Sequence, residues 1–244
     1  MGAVKGVLLS FCSEVQLIDI AHQISRFDIR EAAFVFYSAA QFFPKGTVHL
    51  VVVDPGVGGE RRPIAVRTTK GIYVGPDNGV FSWVYAVEKS VETFHLDQQK
   101  FFLKKRSSTF HGRDLFAPVV GHLLQDIPLE KIGTSFQDPV YFSIPRGRRD
   151  GRTCRGEIIH IDHFGNAITN VTPKDLGVLG LFRRIIIHVG KLKINKISET
   201  FSSVKKGEPV AFIGGSGLLE IALRESSAAD RFQLVVGQEV LLKL

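Results

Sequence analysis

Asp54 and the glycine-rich loop after it carry the first candidate chemistry of the sequence. The loop, DPGVGGERR, spans residues 54–62 and directly follows an apolar, β-branched stretch. Ligands of open α/β sheets gather at the carboxyl ends of the strands, so this carboxylate lies where a reacting group would be. The glycines let the backbone approach a ligand closely, and Arg61 and Arg62 can fold back toward the carboxylate. A glycine-rich turn with a surface arginine pair is the alternative interpretation.

Three further segments combine polar side chains that suit a ligand. In STFHGRD (108–114), His111 lies at the entrance of a predicted helix, where it is a candidate donor or base. PDNG (76–79), which contains Asn78, and IDHFGNAITN (161–170) add amide, carboxylate and aromatic groups. Each segment also has a structural interpretation, respectively a histidine without a catalytic role, a turn, and a strand followed by a turn. None of the three identifies a function alone.

Several common chemistries lack their motifs. The loop is not a Walker loop, because GK[ST] is absent, and it is not a dinucleotide fingerprint. No Gly-x-Ser-x-Gly nucleophile elbow occurs. Of the eight histidines only His160 and His163 form a near pair, with no HExxH motif or cysteine set beside them. We therefore expect neither a metal site nor a cofactor.

The composition is that of an ordinary globular protein. With 244 residues, 44% of them hydrophobic and 23% charged, the chain can bury a core, and wholesale disorder is excluded. The net charge of +7 comes largely from local clusters at 104–106 and 146–155, which we expect to be solvated loops. Two distant cysteines fit a reducing cytoplasm. No apolar run approaches the roughly 18 residues of a membrane span, and nucleic acid is not the expected partner.

The hydrophobic pattern predicts that residues 1–148 form an α/β sandwich-like domain with a mostly parallel sheet. VQLIDIA (15–21) is typical of a buried strand, and a helix is expected from Asp28, its N-cap, to Phe43. TVHLVVVD (47–54) is typical of a central parallel strand covered on both faces. The order strand, helix, strand predicts a unit with a right-handed crossover.

A change of composition separates a second predicted domain. The first domain continues with strands at 63–68 and 71–75 and a helix from about Arg113. The stretch 138–156 is rich in Pro, Gly and Arg without periodicity, as expected of an exposed connection. Residues 149–244 are short β-rich pieces separated by glycines, which predicts a small antiparallel barrel-like or sandwich domain.

Taken together, these segments resemble the S-adenosyl-L-methionine (SAM) hydroxide adenosyltransferases, or SAM hydrolases, which are relatives of fluorinase and chlorinase. The similar segments occur in family order across nearly the whole chain, and the ordered set is far more specific than any one of them. They are FDIREAAFVFYSAAQFFPKGTVHLVVVDPGVGGERRPIAV, YVGPDNGV, STFHGRDLFAP, IDHFGNAITN and GSGLLEIAL.

The resemblance implies a reaction and an assembly. Water or hydroxide would displace methionine from the ribose C5′ of SAM, giving adenosine and L-methionine. The family's Asp–Arg–His set falls on Asp54, Arg61 and His111. The family also implies an α/β domain followed by a β-barrel-like domain, and a homotrimer with active sites between neighbouring subunits.

The substrate contacts implied by the resemblance lie at Asn78 and in the second domain. Asp162 and Asn166 would hold the methionine part of SAM, with Phe164 as an apolar wall. A carboxylate suits an ammonium group and an amide suits a carboxylate. The remaining implied contacts are Ser216, Glu220 and the backbone around Leu223.

The sequence departs from the family pattern at two places. Family members usually begin with a strand and a TDFG-like turn that carries an Asp for the ribose, whereas Met1 lies just before the matching Lys-Gly segment, Val4 to Leu9. Arg224 stands where the family often has Asn. A SAM- or adenosine-binding protein without turnover is therefore the alternative function. A nucleic-acid binder using the arginines of 146–155 ranks last, because no aromatic and basic recognition stripe accompanies them.

Overall fold

In the computed structural model, which describes residues 1–177 and 185–243, the chain divides into two units, Met1–Ile144 and Pro145–Leu244. The predicted boundary at residue 148 lies a few residues beyond this division. The α/β class of the first unit and the barrel-like antiparallel class of the second are confirmed. None of the described helices is long and apolar enough to cross a membrane.

The sheet of the first unit is mixed, with the strand order β1-β3-β2-β4-β5. Its strands are β1 Thr47–Leu50, β2 Pro63–Thr68, β3 Gly71–Pro76, β4 Val91–His95 and β5 Thr134–Phe136. The expectation of a mostly parallel sheet is wrong, because β1 pairs with β3 in parallel but β2–β3, β2–β4 and β4–β5 are antiparallel. Only Thr69 and Lys70 connect β2 to β3, and so short a connection permits only antiparallel pairing.

Helices cover both faces of this sheet. Successive side chains of a strand point to opposite faces. Ile64 and Val66 accordingly pack in the core that contains residues of α2 and α3, whereas Ala65 packs in the core that contains residues of α1 and α4. The helices are α1 Gly2–Phe11, α2 Ile29–Ala40, α3 Ser82–Val87, α4 Ala117–Leu123 and the short α5 Leu129–Ile132.

The predicted strand at 15–21 is wrong. These residues have no strand pairing, and together with β1 they line a cavity of about 740 Å³. A strand is stable only beside a hydrogen-bonded neighbour, so an apolar pattern alone does not make one. The expected strand–helix–strand unit is therefore not formed. β1 lies at the edge of the described sheet rather than at its centre, and it ends at Leu50.

The second unit is an antiparallel, nearly closed barrel with the strand order β10-β9-β13-β7-β8-β12-β11, and β6 pairs with β7. A bulge between Ile158 and His160 marks a shift in register along β7. Near the two ends of this order, the N–H of Ser198 donates to the carbonyl of Ala211 at 2.7 Å. The elements are β6 Arg148–Asp150, β7 Thr153–Ile161, β8 Ala167–Thr169, α6 Pro173–Leu176, β9 Ile186–Val189, β10 Leu192–Ile194, β11 Pro209–Ile213, β12 Leu219–Leu223, α7 Ala228–Phe232 and β13 Glu239–Lys243.

Candidate active site

The loop 54–62 begins just beyond the carboxyl end of β1 and folds back against the segment that precedes α4. The N–H of Val51 continues the parallel pairing by donating to Val74 at 2.9 Å. Gly58 has a φ of +77°, and a Cβ there would lie 2.5 Å from the carbonyl oxygen of Ser108. Glycine at this position therefore permits the close approach that brings the loop beside the segment carrying His111.

Asp54, Arg61 and His111 form one hydrogen-bonded group. Arg61 Nε donates to Asp54 Oδ1 at 3.0 Å, and its Nη2 donates to Asp54 Oδ2. Nη2 also lies 2.8 Å from Nδ1 of His111. The side chains of Arg61 and Asp54 are only 10% and 5% exposed, so this charge pair is largely shielded from water. The three residues implied by the resemblance as catalytic are thus neighbours in space.

The Arg61 contact determines which nitrogen of His111 carries the proton. A guanidinium only donates hydrogen bonds, so Nδ1 must be the acceptor, and a neutral ring then holds its hydrogen on Nε2. Burial, and after it the positive charge of Arg61, lowers the pKa of His111 below its ordinary value. The site therefore contains a neutral imidazole whose one N–H donor is on Nε2.

Phe116 is a site residue that the sequence analysis missed. His111 precedes a π-helical turn, Gly112–Phe116, which continues into α4. The Phe116 ring lies beneath the guanidinium of Arg61, 5.4 Å from Cζ to the ring centroid. In an α-helix with 3.6 residues per turn, residues five apart face different sides. The ordinary helical pattern therefore gave no signal that His111 and Phe116 share a neighbour.

Arg62 does not fold back toward Asp54, so that expectation is wrong for the second arginine. Its Nε donates to Asp77 Oδ2 at 2.8 Å, and its Nη1 donates to Asp138 Oδ1 at 2.9 Å. The guanidinium also lies over the Phe136 ring at 4.2 Å. The two adjacent arginines thus serve different carboxylates.

Asn78, implied as a substrate contact, binds the backbone beside Asp54. Its Nδ2 donates to the carbonyl of Val53 at 2.9 Å. Its Oδ1 accepts the N–H of Val80 at 3.2 Å. Both ends of the amide are therefore engaged within the protein, although each keeps capacity for a second hydrogen bond.

In the second unit, Asp162 organises a tight turn with Phe164 and Asn166. Asp162 Oδ1 accepts the backbone N–H of Phe164 at 2.9 Å and that of Asn166 at 2.8 Å. Asp162 Oδ2 accepts Nδ2 of Asn166 at 2.9 Å. The Phe164 ring is left 74% exposed at the tip of the turn. This exposed ring is available as an apolar contact for a ligand.

Glu220 and Ser216 are two further polar residues of this unit. Burial, and to a smaller extent the nearby Asp162 carboxylate, raises the pKa of Glu220 above its ordinary value. Ser216 Oγ is buried and has no hydrogen-bond partner among the described residues. Leu223, at the end of β12, has a buried side chain. Two neighbouring carboxylates and an unused hydroxyl suit a ligand that brings a positive charge and a hydrogen-bonding group.

Across residues 1–177 and 185–243, no group of three or more His, Cys, Asp and Glu side chains is arranged to hold a metal ion. The polar groups described above are instead built from arginine, histidine, amide and carboxylate side chains. Such groups bind and orient an organic ligand through hydrogen bonds and charge.

The fold and the Asp–Arg–His group define a protein with an α/β unit, a β-barrel unit and a polar site for an organic ligand. The family model described as the SAM hydroxide adenosyltransferase N-terminal domain matches residues 1–133, and that of the C-terminal domain matches residues 156–241. The chain belongs to the SAM hydroxide adenosyltransferase family.

Individual proteins agree with this assignment. The chain is 34% identical to the (R)-S-adenosyl-L-methionine hydrolase of Thermus thermophilus, over 99% of this chain and 93% of that protein. It is 26% identical to a fluorinase of an Actinoplanes species, over 97% and 90% of the two chains. A crystal structure of an uncharacterized conserved protein from Thermotoga maritima superposes with a TM-score of 0.93 and 32% identity, covering 100% of this chain and 94% of that one.

Proposed function

We propose that this protein hydrolyses SAM to adenosine and L-methionine. The observation that carries the proposal is the Asp54–Arg61–His111 group, in which the Arg61 guanidinium, whose side chain is only 10% exposed, donates to both the Asp54 carboxylate and Nδ1 of His111. Family membership over nearly the whole chain supports the same reaction.

The reaction needs an activated nucleophile more than an activated leaving group. The oxygen of water bonds to C5′ of the ribose, the C5′–S bond breaks, and its electron pair stays on sulfur as neutral methionine. The water also loses a proton. Water has a pKa of about 15.7 and an ordinary aspartic acid about 3.9, a gap of roughly 16 kcal/mol. Asp54 therefore cannot preform hydroxide, and the proton must leave as the C–O bond forms.

The three side chains divide this work. Asp54 accepts a hydrogen bond from the attacking water and receives its proton as C–O bonding proceeds. Arg61 uses three of its five N–H groups on Asp54 and His111, so among the described residues both N–H groups of Nη1 remain for a ligand oxygen. With the Nε2–H of His111 they stabilise the developing hydroxide. The remaining rate enhancement comes from holding the water in line with C5′ and sulfur.

We assign substrate binding to the polar groups of the second unit. The carboxylates of Asp162 and Glu220 suit the ammonium group of the methionine part, and the Ser216 hydroxyl supplies a further hydrogen bond. Phe164 provides an apolar wall. Asn166 and the backbone at Leu223 are further substrate contacts of this unit. Asn78 is a substrate contact beside Asp54. No cofactor takes part in this scheme.

A direct assay tests the function. Purified protein is incubated with SAM, and adenosine and methionine are quantified by chromatography. We expect equal amounts of both products from the natural sequence and none from Asp54→Asn, with Asp138→Asn as a matched exposed-carboxylate control that retains activity. Binding of SAM by calorimetry without product release would contradict the proposal and identify a binding protein instead.

We also propose a cytoplasmic homotrimer with active sites between neighbouring subunits. Light scattering measures the assembly size. If each site takes residues from two subunits, mixing Asp54→Asn with Asp162→Ala protein restores part of the activity, because some mixed sites carry both intact residues. A monomer, or no recovery after verified subunit exchange, contradicts this arrangement.

A further inference from the structure

We propose that the Arg62–Asp77 ion pair is a positioning device for the reaction, because together with Asn78 it holds the catalytic loop 54–61 closed at its base. The inference rests on the proposed function and gives a role to Arg62 and Asp77, for which the mechanism above has no use. Its basis is that the two consecutive residues Asp77 and Asn78 bind both ends of the loop.

The outgoing end of the loop is held by two hydrogen bonds between the same pair of residues. The backbone N–H of Asp77 donates to the carbonyl of Arg62 at 2.9 Å. Arg62 Nε returns a hydrogen bond to Asp77 Oδ2 at 2.8 Å. These contacts extend the β2–β3 pairing, in which Pro63 lies opposite Pro76. Arg61 is thereby fixed by the residue that follows it.

The incoming end of the loop is held by the next residue of the same turn. Asn78 Nδ2 donates to the carbonyl of Val53 at 2.9 Å, one residue before Asp54. The hydrogen bond from the Val80 N–H to Asn78 Oδ1 fixes the orientation of this amide. The turn therefore sets the separation of Asp54 and Arg61 independently of the hydrogen bonds between them.

The burial of Asp77 makes Arg62 its necessary partner. The Asp77 side chain is only 1% exposed, and its Oδ1 accepts the N–H of Val140 at 2.8 Å. A buried carboxylate is tolerated when it is paired and hydrogen-bonded. The second ion pair of Arg62, with Asp138, has a carboxylate that is 82% exposed. The buried and exposed ion pairs of Arg62 can therefore be separated by substitution.

The loop needs restraint from outside because its own sequence gives little. Gly56, Gly58 and Gly59 leave its backbone with wide conformational freedom. A displacement of about 1 Å in a reacting group can cost about a hundredfold in rate. If the base of the loop were released, the substrate-binding residues would be unchanged. The positions of Asp54 and Arg61 relative to the substrate would be less precise.

The test compares Arg62→Lys and Asp77→Asn with Arg67→Lys as a matched control. Arg67 also bridges two carboxylates, Glu92 and Glu130, and lies over the Phe94 ring, 5.0 Å from Cζ to its centroid. We expect the first two variants to lose tenfold or more in kcat with KM changed less than about threefold. Arg67→Lys and Asp138→Asn should keep kcat near that of the natural protein.

Two readouts separate this inference from the proposed function and from simple instability. Circular dichroism at the assay temperature establishes that each variant is folded, and Arg62→Lys remains informative if Asp77→Asn does not fold. NMR titration of His111 needs no turnover, and we expect its pKa to rise in Arg62→Lys as Arg61 moves away, but not in Arg67→Lys. Unchanged kcat and unchanged His111 titration in a folded Arg62→Lys, or equal losses in Arg67→Lys, would overturn the inference. Absence of SAM turnover with the His111 shift present would refute only the function.

Discussion

Arg61 donates from Nη2 to Nδ1 of His111 across 2.8 Å. Because the guanidinium stays charged at all relevant pH values, protonation of the ring would place two cations in contact. Burial and this charge together lower the pKa of His111.

We predict that His111 is neutral at pH 7, carries its proton on Nε2, and titrates below the ordinary histidine pKa of 6.5. Replacing Arg61 by Gln removes a positive charge and should move that pKa upward. Nitrogen NMR shifts report both the tautomer and the titration. His122 is an internal control, since burial alone lowers its pKa and it should not respond. A proton on Nδ1 would contradict the prediction.

We also predict that kcat falls at low pH, where His111 becomes protonated. If the neutral ring is the working form, kcat falls only when the pH falls through the lowered pKa of His111, so activity persists somewhat below pH 6.5. The pH profile of kcat measures this. An acidic limb above 6.5 would show that the neutral ring is not the group that limits the rate.

A second prediction concerns the shape of Arg61. Lysine keeps the charge but cannot donate to both oxygens of Asp54 and to His111 at once. We expect Arg61→Lys to lower kcat by roughly a hundredfold to a thousandfold, the usual effect of losing one preorganised donor. Arg155→Lys, which alters an exposed pair with Glu239, is the control and should be neutral. Activity within a few fold in Arg61→Lys would remove the guanidinium from the proposed mechanism.

The sequence predicts those elements that are stabilised by interactions between residues close together in the chain. Asp28 was identified as an N-cap, and its side chain accepts the N–H of Glu31 at 2.8 Å, as that rule requires. Residues 15–21 have an equally strong strand pattern, but strand formation depends on a hydrogen-bonded neighbour that the pattern does not specify. The α2 helix was therefore predictable and the strand was not.

For the candidate site, the sequence predicts which residues take part but not all of their contacts. Motifs identified Asp54, Arg61 and His111 as residues of interest, but their contacts depend on how distant segments pack. Consecutive residues entering a strand point to opposite sides. The expectation that both Arg61 and Arg62 fold back toward Asp54 therefore holds only for Arg61, and Arg62 binds Asp77 instead. Phe116 was missed because a π-helical turn, not an α-helical one, places it against Arg61.

A third prediction concerns Glu220, whose pKa is raised by burial and by Asp162. Only its ionised form attracts a cationic substrate group, so KM for SAM should rise as pH falls, beginning at a higher pH than an ordinary glutamate would cause. Glu220→Gln should raise KM, leave kcat less affected and abolish this part of the pH dependence. Steady-state kinetics at several pH values measures both effects. Glu225→Gln alters a surface carboxylate as control, and an unchanged KM in Glu220→Gln would exclude the ammonium contact.

The last prediction concerns stability and uses His49, which is buried at 7% exposure and stacks on Tyr73 with ring centroids 5.1 Å apart. Burial lowers its pKa from 6.5 to about 4. As pH falls below 6.5 the unfolded chain gains a proton that the folded state accepts only near pH 4, so the free energy of unfolding decreases through that window. Between pH 7 and pH 5 this histidine should account for about 2 kcal/mol of lost stability. Urea unfolding of His49→Phe at the two pH values should show a correspondingly smaller difference, whereas His22→Gln, an exposed control, should behave like the natural protein. An unchanged difference in His49→Phe would mean that other groups cause the acid sensitivity.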